Sequence, residues 1–253
     1  AVGGRIGFRG GMNIADANCR VLKPPHPIRD MMFRIEGPVV GHMQETFVED
    51  WAFAAGEVLH GPAWFPPLAP RGPALARGVT SGPDADFEKL RFVILGALNS
   101  AHCRVVIVTP YFLPDAGLIS ALNITAMRGV QVDIVLPSVG DLRLVRWACT
   151  AQLWQVPGHG RRWIDPDPFP HTKLMLVDGA WTLLGSGNWD ARSLRLNFEF
   201  NIECYHRHLA AALEGMVDEI IDRSDPMTLE KLSRRSIPVK LRDGLARLLM
   251  PYL

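Results

Sequence analysis

One stretch in the second half of the sequence spaces chemically active side chains so that they can form a single site. His171 and Lys173 are two residues apart, so on a β-strand their side chains point to the same face. Asp178 and the glycine after it give a strong hairpin signal between two apolar runs. The returning strand carries Ser186 and Asn188 back beside the histidine. We therefore predict that an imidazole, an ammonium, a hydroxyl and an amide surround one point.

These groups suit a tetrahedral oxyanion such as a phosphodiester. His171 can attack phosphorus as the free base or donate a proton as the cation, because imidazole titrates near neutral pH. Lys173 supplies a point charge for a non-bridging oxygen, and the Ser186 hydroxyl and Asn188 amide can hydrogen-bond the same group. A two-residue turn puts His171 opposite Ser186, and a three-residue turn puts it opposite Gly187. The sequence has no metal-ligand spacing, and we expect neither a metal nor another cofactor.

The same stretch carries a family resemblance. It matches the HKD signature of the phospholipase D superfamily, H-x-K-x4-D-x6-G-S-x-N, at His171, Lys173, Asp178, Gly185, Ser186 and Asn188. Residues 109–115 and 190–199 resemble the bacterial cardiolipin synthase branch, and the resemblance covers nearly the whole chain. It implies an α/β fold, in which a layered mixed β-sheet is flanked by helices and two lobes are related by a pseudo-two-fold axis.

An earlier run repeats the end of this signature. Residues 10–13 read Gly-Gly-Met-Asn and parallel residues 185–188, which read Gly-Ser-Gly-Asn. They resemble the end of the first signature in a two-signature enzyme, whose aspartate would fall on Gly3 and whose histidine and lysine would fall before the first residue. We therefore expect the first lobe to be incomplete and to lack that His and Lys. We expect Asn13 and Gly11 to complete the phosphate pocket.

The resemblance also implies supporting residues. Glu199 is similar to the family's supporting acid, and we expect it to fix the tautomer of His171 as a catalytic partner. Asp30 is a candidate for the same task at the histidine of the first signature. Asp178 and Gly185 are expected to be structural parts of the motif, with Asp178 bonding the backbone of its own turn.

Apolar periodicity gives the organisation along the chain. It predicts helices over 39–55, 115–127, 141–152 and 207–222, and strands over 104–108, 130–136 and 198–204. This alternation is typical of an α/β sheet with helices on its faces. We expect residues 1–60 to be the remainder of the first lobe, 61–77 a Pro/Gly-rich linker, and 78–253 the second lobe with the complete HKD motif.

The charge balance and the hydropathy of the chain limit the classes of molecule that it is expected to bind. The chain carries 27 basic and 26 acidic residues, which disfavours a dedicated nucleic-acid binder. No apolar run reaches the roughly 20 residues that span a bilayer. Near the end of the sequence, Leu241, Leu245, Leu248 and Leu249 form an apolar stripe that suits either an interfacial helix on anionic lipid or docking on the protein's own core.

The resemblance implies a phosphatidyltransferase of the cardiolipin synthase type, which moves a phosphatidyl group between phosphatidylglycerol molecules through a phosphohistidine. We expect the chain to be peripheral at the cytoplasmic face of the bacterial inner membrane, with membrane spans possible in a longer parent. Three alternatives stay open: a phospholipase D, a nuclease-type phosphodiesterase, and a catalytically incomplete phosphate-binding fragment. The nucleophilic histidine, the acceptor alcohol and the oligomeric state are also open.

Overall fold

The strands and helices follow the alternation predicted from the sequence. The computed structural model describes residues 1–25, 27–83, 86–138, 140, 142–156, 160–165 and 171–249. The first part of the chain contains β1 (Ile6–Gly10), β2 (Met32–Glu36), α1 (Val39–Ala55), β3 (Leu75–Ser81), α2 (Lys89–Ser100), β4 (Arg104–Val108), β5 (Phe112–Leu113), α3 (Ala116–Met127), β6 (Gln131–Pro137) and α4 (Arg143–Gln152). The second part contains β7 (Gly160–Asp165), β8 (Leu174–Val177), β9 (Trp181–Gly185), β10 (Trp189–Asp190), α5 (Ala191–Arg195), β11 (Glu199–Tyr205), α6 (Arg207–Arg223), β12 (Asp225–Pro226), α7 (Leu229–Ser233) and α8 (Ile237–Leu248).

Eight strands form one mixed sheet in the order β12-β7-β6-β4-β8-β9-β11-β3. The pairs β4–β6 and β6–β7 are parallel, whereas β4–β8, β8–β9, β9–β11 and β11–β3 are antiparallel. The predicted mixed α/β fold is confirmed. Strand β3 begins at Leu75, before the predicted end of the linker at residue 77, and the division into lobes and linker stays a prediction.

Helices cover both faces of the sheet because its central strands are apolar on both sides. In β4, Val105 and Ile107 join a core with α2 and α3, while Val106 and Val108 join a second core with α1 and α6. The alternation follows from the period of two along a strand. Strands that are buried on both faces read as continuous apolar runs, which is the pattern of residues 104–108.

The hairpin β8–β9 sits in the middle of the sheet and carries the HKD signature. Val177 pairs with Trp181 and Leu174 pairs with Leu184, which is the register of the three-residue turn. Asp178 and Gly179 adopt left-handed conformations at φ 51° and φ 60°, which Asp and Gly tolerate better than other residues do. Continuing this register backwards puts residue 171 opposite residue 187.

A smaller unit repeats part of this arrangement. Strand β1 pairs antiparallel with β2, as β9 pairs antiparallel with β11. In each case the second strand leads into a helix of 17 residues, α1 or α6. Both helices contribute to the same core, so the small unit and the large sheet are packed together as the pseudo-two-fold relation implies.

Asp178 fixes the tip of the hairpin to the start of β4. Its carboxylate accepts hydrogen bonds from the backbone N–H groups of His102, Cys103 and Arg104, each at 2.8 Å. Asp178 is therefore structural, as expected, but its partners differ from the predicted ones. Its carboxylate bonds the backbone at the start of β4 and not the backbone of its own turn. Burial raises the pKa of Asp178, but the three backbone donors outweigh it and the net pKa is lowered.

We expect Asp178→Asn to lower the free energy of unfolding by about 1–2 kcal/mol at neutral pH, because it removes the charge from these bonds and turns an N–H₂ toward a backbone donor. Asn tolerates the left-handed turn, so the backbone is not strained. Because the folded pKa is lowered, the contribution is present above the unfolded pKa and is lost as the pH falls through the folded one. Denaturant titration should show the difference shrinking in acid, while exposed Asp222→Asn should change little.

Helix α8 packs against α4 through a different face than its leucines would suggest. Asp243 and Ala246 are buried, whereas Leu241, Leu245 and Leu248 are 63%, 65% and 73% exposed. Docking of these leucines on the protein's own core is therefore wrong. Within the described residues, no helix combines the length and apolar composition that crossing a bilayer requires.

Candidate active site

His171 and Lys173 lie immediately before β8, with their side chains on one side of the chain. Both are buried, at 9% and 6% exposure. The Lys173 ammonium donates to the His171 carbonyl oxygen at 2.6 Å and lies 2.8 Å from His171 Nδ1. The backbone N–H of His171 donates to the carbonyl oxygen of Arg29 at 2.7 Å. The predicted convergence of this imidazole and this amine is confirmed.

Two acceptors from the first part of the chain face the imidazole. Nδ1 of His171 lies 2.8 Å from the carbonyl oxygen of Gly11 and 3.3 Å from Oδ2 of Asp30. Both are acceptors, so they favour the tautomer with the proton on Nδ1. In that tautomer Lys173 cannot donate to Nδ1, and Nε2 is the unprotonated ring nitrogen. The Asp30 side chain is only 2% exposed, which strengthens its interaction with an imidazolium.

The expected pairing of Glu199 with His171 is wrong. Glu199 Oε2 accepts from the Ser186 hydroxyl, and Oε1 accepts from Asn197 Nδ2 at 3.2 Å. Asp30 is the carboxylate at His171, although the sequence suggested it for the other histidine. The reason is geometric: the backbone N–H of His171 bonds the carbonyl oxygen of Arg29, which brings the adjacent Asp30 to the imidazole.

Gly11 is the point of closest approach between the two units. A Cβ atom at this position would lie 2.7 Å from the carbonyl oxygen of His171 and 2.8 Å from both Asp30 Oδ2 and Lys173 Cδ. Rigid backbone and two site residues would all have to shift. A side chain at this position would therefore clash, so glycine is required. The carbonyl oxygen of Gly11 contacts the imidazole directly.

We expect Gly11→Ala to reduce any phosphoryl-transfer activity of this site by about 100-fold or more, because a displacement of the histidine by a fraction of an ångström disturbs the attack geometry. The matched control is Gly215→Ala in α6, where nothing lies within 4 Å of the added atom. That change should leave the rate intact. Initial rates of both variants, with thermal unfolding as a check on folding, test the prediction; an unimpaired Gly11 variant contradicts the proposed geometry.

Ser186 belongs to a second polar group, which the sequence did not reveal. Arg9 of β1 donates to Ser186 Oγ, and its Nε donates to the carbonyl oxygen of Phe200 at 2.7 Å. Burial lowers the pKa of Arg9, and the nearby charge of Glu199 opposes that shift. An arginine within an otherwise apolar strand next to the Gly-Gly pair was the available signal. This group borders a cavity of about 690 Å³ that is also lined by Phe47, Phe53 and Phe198.

Asn188 is bonded to the start of α5. Its Nδ2 donates to Ser193 Oγ at 3.3 Å, and the backbone N–H of Ser193 donates to Asp190 at 2.7 Å. The Asn188 Oδ1 atom is buried without a partner among the described residues. Asn13, its counterpart in the first unit, is exposed. Phosphate binding by Asn13, Asn188, Ser186 and Gly11 stays a prediction.

Gly185 allows β9 and β11 to approach each other. A Cβ there would lie 2.3 Å from Asn201 Oδ1 and 2.6 Å from the Phe200 carbonyl oxygen. Tyr111 also contacts the histidine: its ring meets the imidazole edge-on, with centroids 6.4 Å apart. The site thus combines an imidazole, an ammonium, and a carboxylate that is shielded from solvent.

The sequence of this chain matches a known family and several named relatives. A family model described as "Cardiolipin synthase, PLD-like domain" matches residues 94–221. Cardiolipin synthase of Listeria welshimeri is 32% identical over the whole chain, which covers 53% of that relative. Cardiolipin synthase A of Pseudomonas putida is 34% identical, again over the whole chain, which covers 52% of it. The chain therefore spans about half the length of the curated relatives it matches.

Solved structures share the fold at lower identity. Phosphatidylserine synthase of Haemophilus influenzae superposes with a TM-score of 0.73 at 16% identity, covering 98% of this chain and 69% of that one. Nuc of Salmonella typhimurium, a phospholipase D family member, superposes with a TM-score of 0.53 at 19% identity, covering 62% of this chain and 99% of that one. At these identities the likeness concerns the fold alone.

Proposed function

Because this chain belongs to the cardiolipin synthase family with a phospholipase D-like domain, we propose that it acts in transfer of a phosphatidyl group between two phosphatidylglycerol molecules. Three relations support the proposal: the family model, the relatives named cardiolipin synthase, and a phosphatidylserine synthase with the same fold. The observation that carries it is the buried His171–Lys173 pair with Nδ1 held by Asp30 and Gly11.

In the first step, Nε2 of His171 attacks the phosphorus of phosphatidylglycerol. A nitrogen–phosphorus bond forms, the phosphorus–oxygen bond to the head-group glycerol breaks, and glycerol leaves with a proton from an acid on the opposite side. Asp30 stabilises the positive charge that develops on the imidazole. Lys173 stabilises the negative charge on a non-bridging oxygen.

In the second step, a hydroxyl of another phosphatidylglycerol attacks the phosphohistidine. The phosphorus–nitrogen bond breaks, cardiolipin forms, and the hydroxyl proton passes to a base opposite His171. Water in place of that hydroxyl would give phosphatidic acid, which is phospholipase D chemistry. The chosen acceptor therefore decides between transfer and hydrolysis.

Glu199 lies where it can serve a second imidazole. Ser186 is the counterpart of Gly11 in the internal repeat, and Glu199 bonds Ser186 while Asp30 faces Gly11 and His171. By this symmetry, a first-signature histidine would stand beside Glu199 and supply the acid and base of the two steps. Glu199 is then a positioning residue for that histidine.

The substrate implies a membrane surface as partner. Phosphatidylglycerol resides in a bilayer, and the cardiolipin synthases this chain matches support an association with membranes. We place the chain peripherally at the cytoplasmic face of the bacterial inner membrane. No nucleic-acid substrate is proposed, because 27 basic and 26 acidic residues give no basic excess.

Incubation of the complete protein with phosphatidylglycerol tests the proposal. We expect cardiolipin and glycerol to appear in equal amounts. Thin-layer chromatography measures the cardiolipin, and an enzymatic assay measures the glycerol. If phosphatidic acid is the main product, the reaction is hydrolysis and the proposed transfer is contradicted. Cleavage of single-stranded DNA without any lipid product would favour the phosphodiesterase alternative.

A further inference from the structure

We propose that the outer face of α8 is a docking surface for an anionic lipid bilayer. The inference deepens the proposed function and in part rests on it, because it names the face through which the chain would reach a lipid substrate. Binding to vesicles needs no turnover, so the two proposals can fail separately.

The apolar side chains of α8 lie on the side away from the protein. At about 100° per residue they fall within an arc of about 80° on the helix surface. This apolar stripe consists of Ile237, Leu241, Leu245 and Leu248, which are 71%, 63%, 65% and 73% exposed. The buried residues Asp243 and Ala246 lie on the opposite side, against α4. The helix therefore has one face for the protein and another that faces solvent.

Basic side chains flank the apolar stripe on both sides. Lys240 and Arg247 lie along one edge and Arg242 along the other, by the same helical geometry. Asp243 is the one acidic residue of α8, and it is buried and paired with Arg235 and Arg242. Residues 229–249 carry six basic and two acidic residues, whereas the whole chain has 27 and 26. The local excess complements an anionic surface.

This arrangement is the one expected of a helix lying in the plane of a membrane interface, with its apolar side chains in the acyl boundary and cations among the head groups. A protein partner would also cover apolar side chains, but it would gain nothing from a basic rim unless its own surface were acidic. Anionic phospholipid supplies both the apolar layer and the negative charge.

Packed side chains connect the buried face of α8, opposite the apolar stripe, with His171. Tyr111 meets the His171 ring and also packs, with Trp147, against the cluster that contains Ala246. The Arg242 guanidinium lies 4.2 Å from the Trp147 ring centroid. The buried face of α8 and His171 are therefore linked through one set of packed side chains.

A cavity beside the stripe has the same mixed character. It measures about 880 Å³ and lies between α4, α7 and α8. Trp154, Leu232 and Leu248 give it an apolar wall, while Lys240 and Arg247 line it with positive charge. An anionic head group with the first part of an acyl chain matches this lining.

Vesicle co-sedimentation of the full chain tests the inference. The first variant is Leu241→Gln/Leu245→Gln/Leu248→Gln, and the matched control is Phe92→Gln/Met127→Gln, which replaces side chains of similar exposure on α2 and α3. On vesicles with equal parts phosphatidylglycerol and phosphatidylcholine, we expect the first variant to bind at least about 100-fold more weakly than the parent. The control should bind as the parent does.

Two further variants separate the electrostatic contribution to vesicle binding from binding at the active site. Lys240→Gln/Arg247→Gln should weaken binding to the anionic vesicles by about 30-fold and change little on phosphatidylcholine alone. His171→Ala should bind as the parent does although it loses transfer. The inference is overturned if the triple variant binds normally, or if His171→Ala abolishes binding. It is equally overturned if the triple variant changes the mass of the protein in solution, because the face is then an interface between copies of this chain.

Discussion

In the complete protein, replacing His171 with alanine is expected to reduce cardiolipin formation by about 10⁴-fold or more, because the variant loses the atom that we propose bonds to phosphorus. The side chain is buried beside Lys173 and Asp30, so its removal also leaves the carboxylate without its partner. Initial rates of glycerol release from phosphatidylglycerol measure the effect.

The matched control is His208→Ala, which removes an exposed imidazole at the start of α6. That variant should retain the parent rate. Thermal unfolding of both variants shows whether the fold is intact. A folded His171→Ala protein that still forms cardiolipin at the parent rate contradicts the role assigned to this histidine.

Replacing Lys173 with methionine is expected to lower the rate of transfer by about 10²–10³-fold, equivalent to about 3–4 kcal/mol of transition-state stabilisation. Methionine retains the apolar stem that packs against Gly11 but removes the charge aimed at a non-bridging oxygen. The loss should appear in kcat more than in KM, since the charge matters most when negative charge develops on the phosphoryl group.

Lys231→Met is the control for the loss of one positive charge, because Lys231 is exposed in α7. It should leave kcat unchanged. If Lys173→Met instead raises KM with kcat unchanged, the ammonium acts in ground-state binding only, and its catalytic assignment is contradicted.

Local patterns in the sequence were sufficient to predict most elements. The helix predicted over 39–55 is Val39–Ala55, and the strand predicted over 104–108 is Arg104–Val108. Both segments could be predicted from the periodicity of their apolar residues. The end of α1 is also marked by a glycine, which adopts a left-handed conformation there. The closeness of His171 and Lys173 could likewise be predicted from their spacing, because side chains two residues apart on extended backbone point to the same side, although β8 begins only at Leu174.

Contacts between distant segments could not be predicted in this way. Asp30 and His171 are 141 residues apart, and no periodicity indicates that they meet. The sequence assigned Glu199 to His171 because the acid lies on a neighbouring strand, but a contact across the two units replaces it. Arg9 is a similar case, since its partner Ser186 is 177 residues away. Such pairs depend on how β1 and residues 29–30 pack against the segments that carry His171 and Ser186.

The most direct test uses a phosphodiester with a p-nitrophenyl leaving group, whose phenolate departs without a proton from an opposing acid. We expect a burst of nitrophenolate that is stoichiometric with the chain, and a phosphoryl adduct on the peptide containing His171, detected by mass spectrometry after an alkaline quench. The same burst without an adduct on that peptide, or with the adduct on another residue, would show that His171 is not the nucleophile.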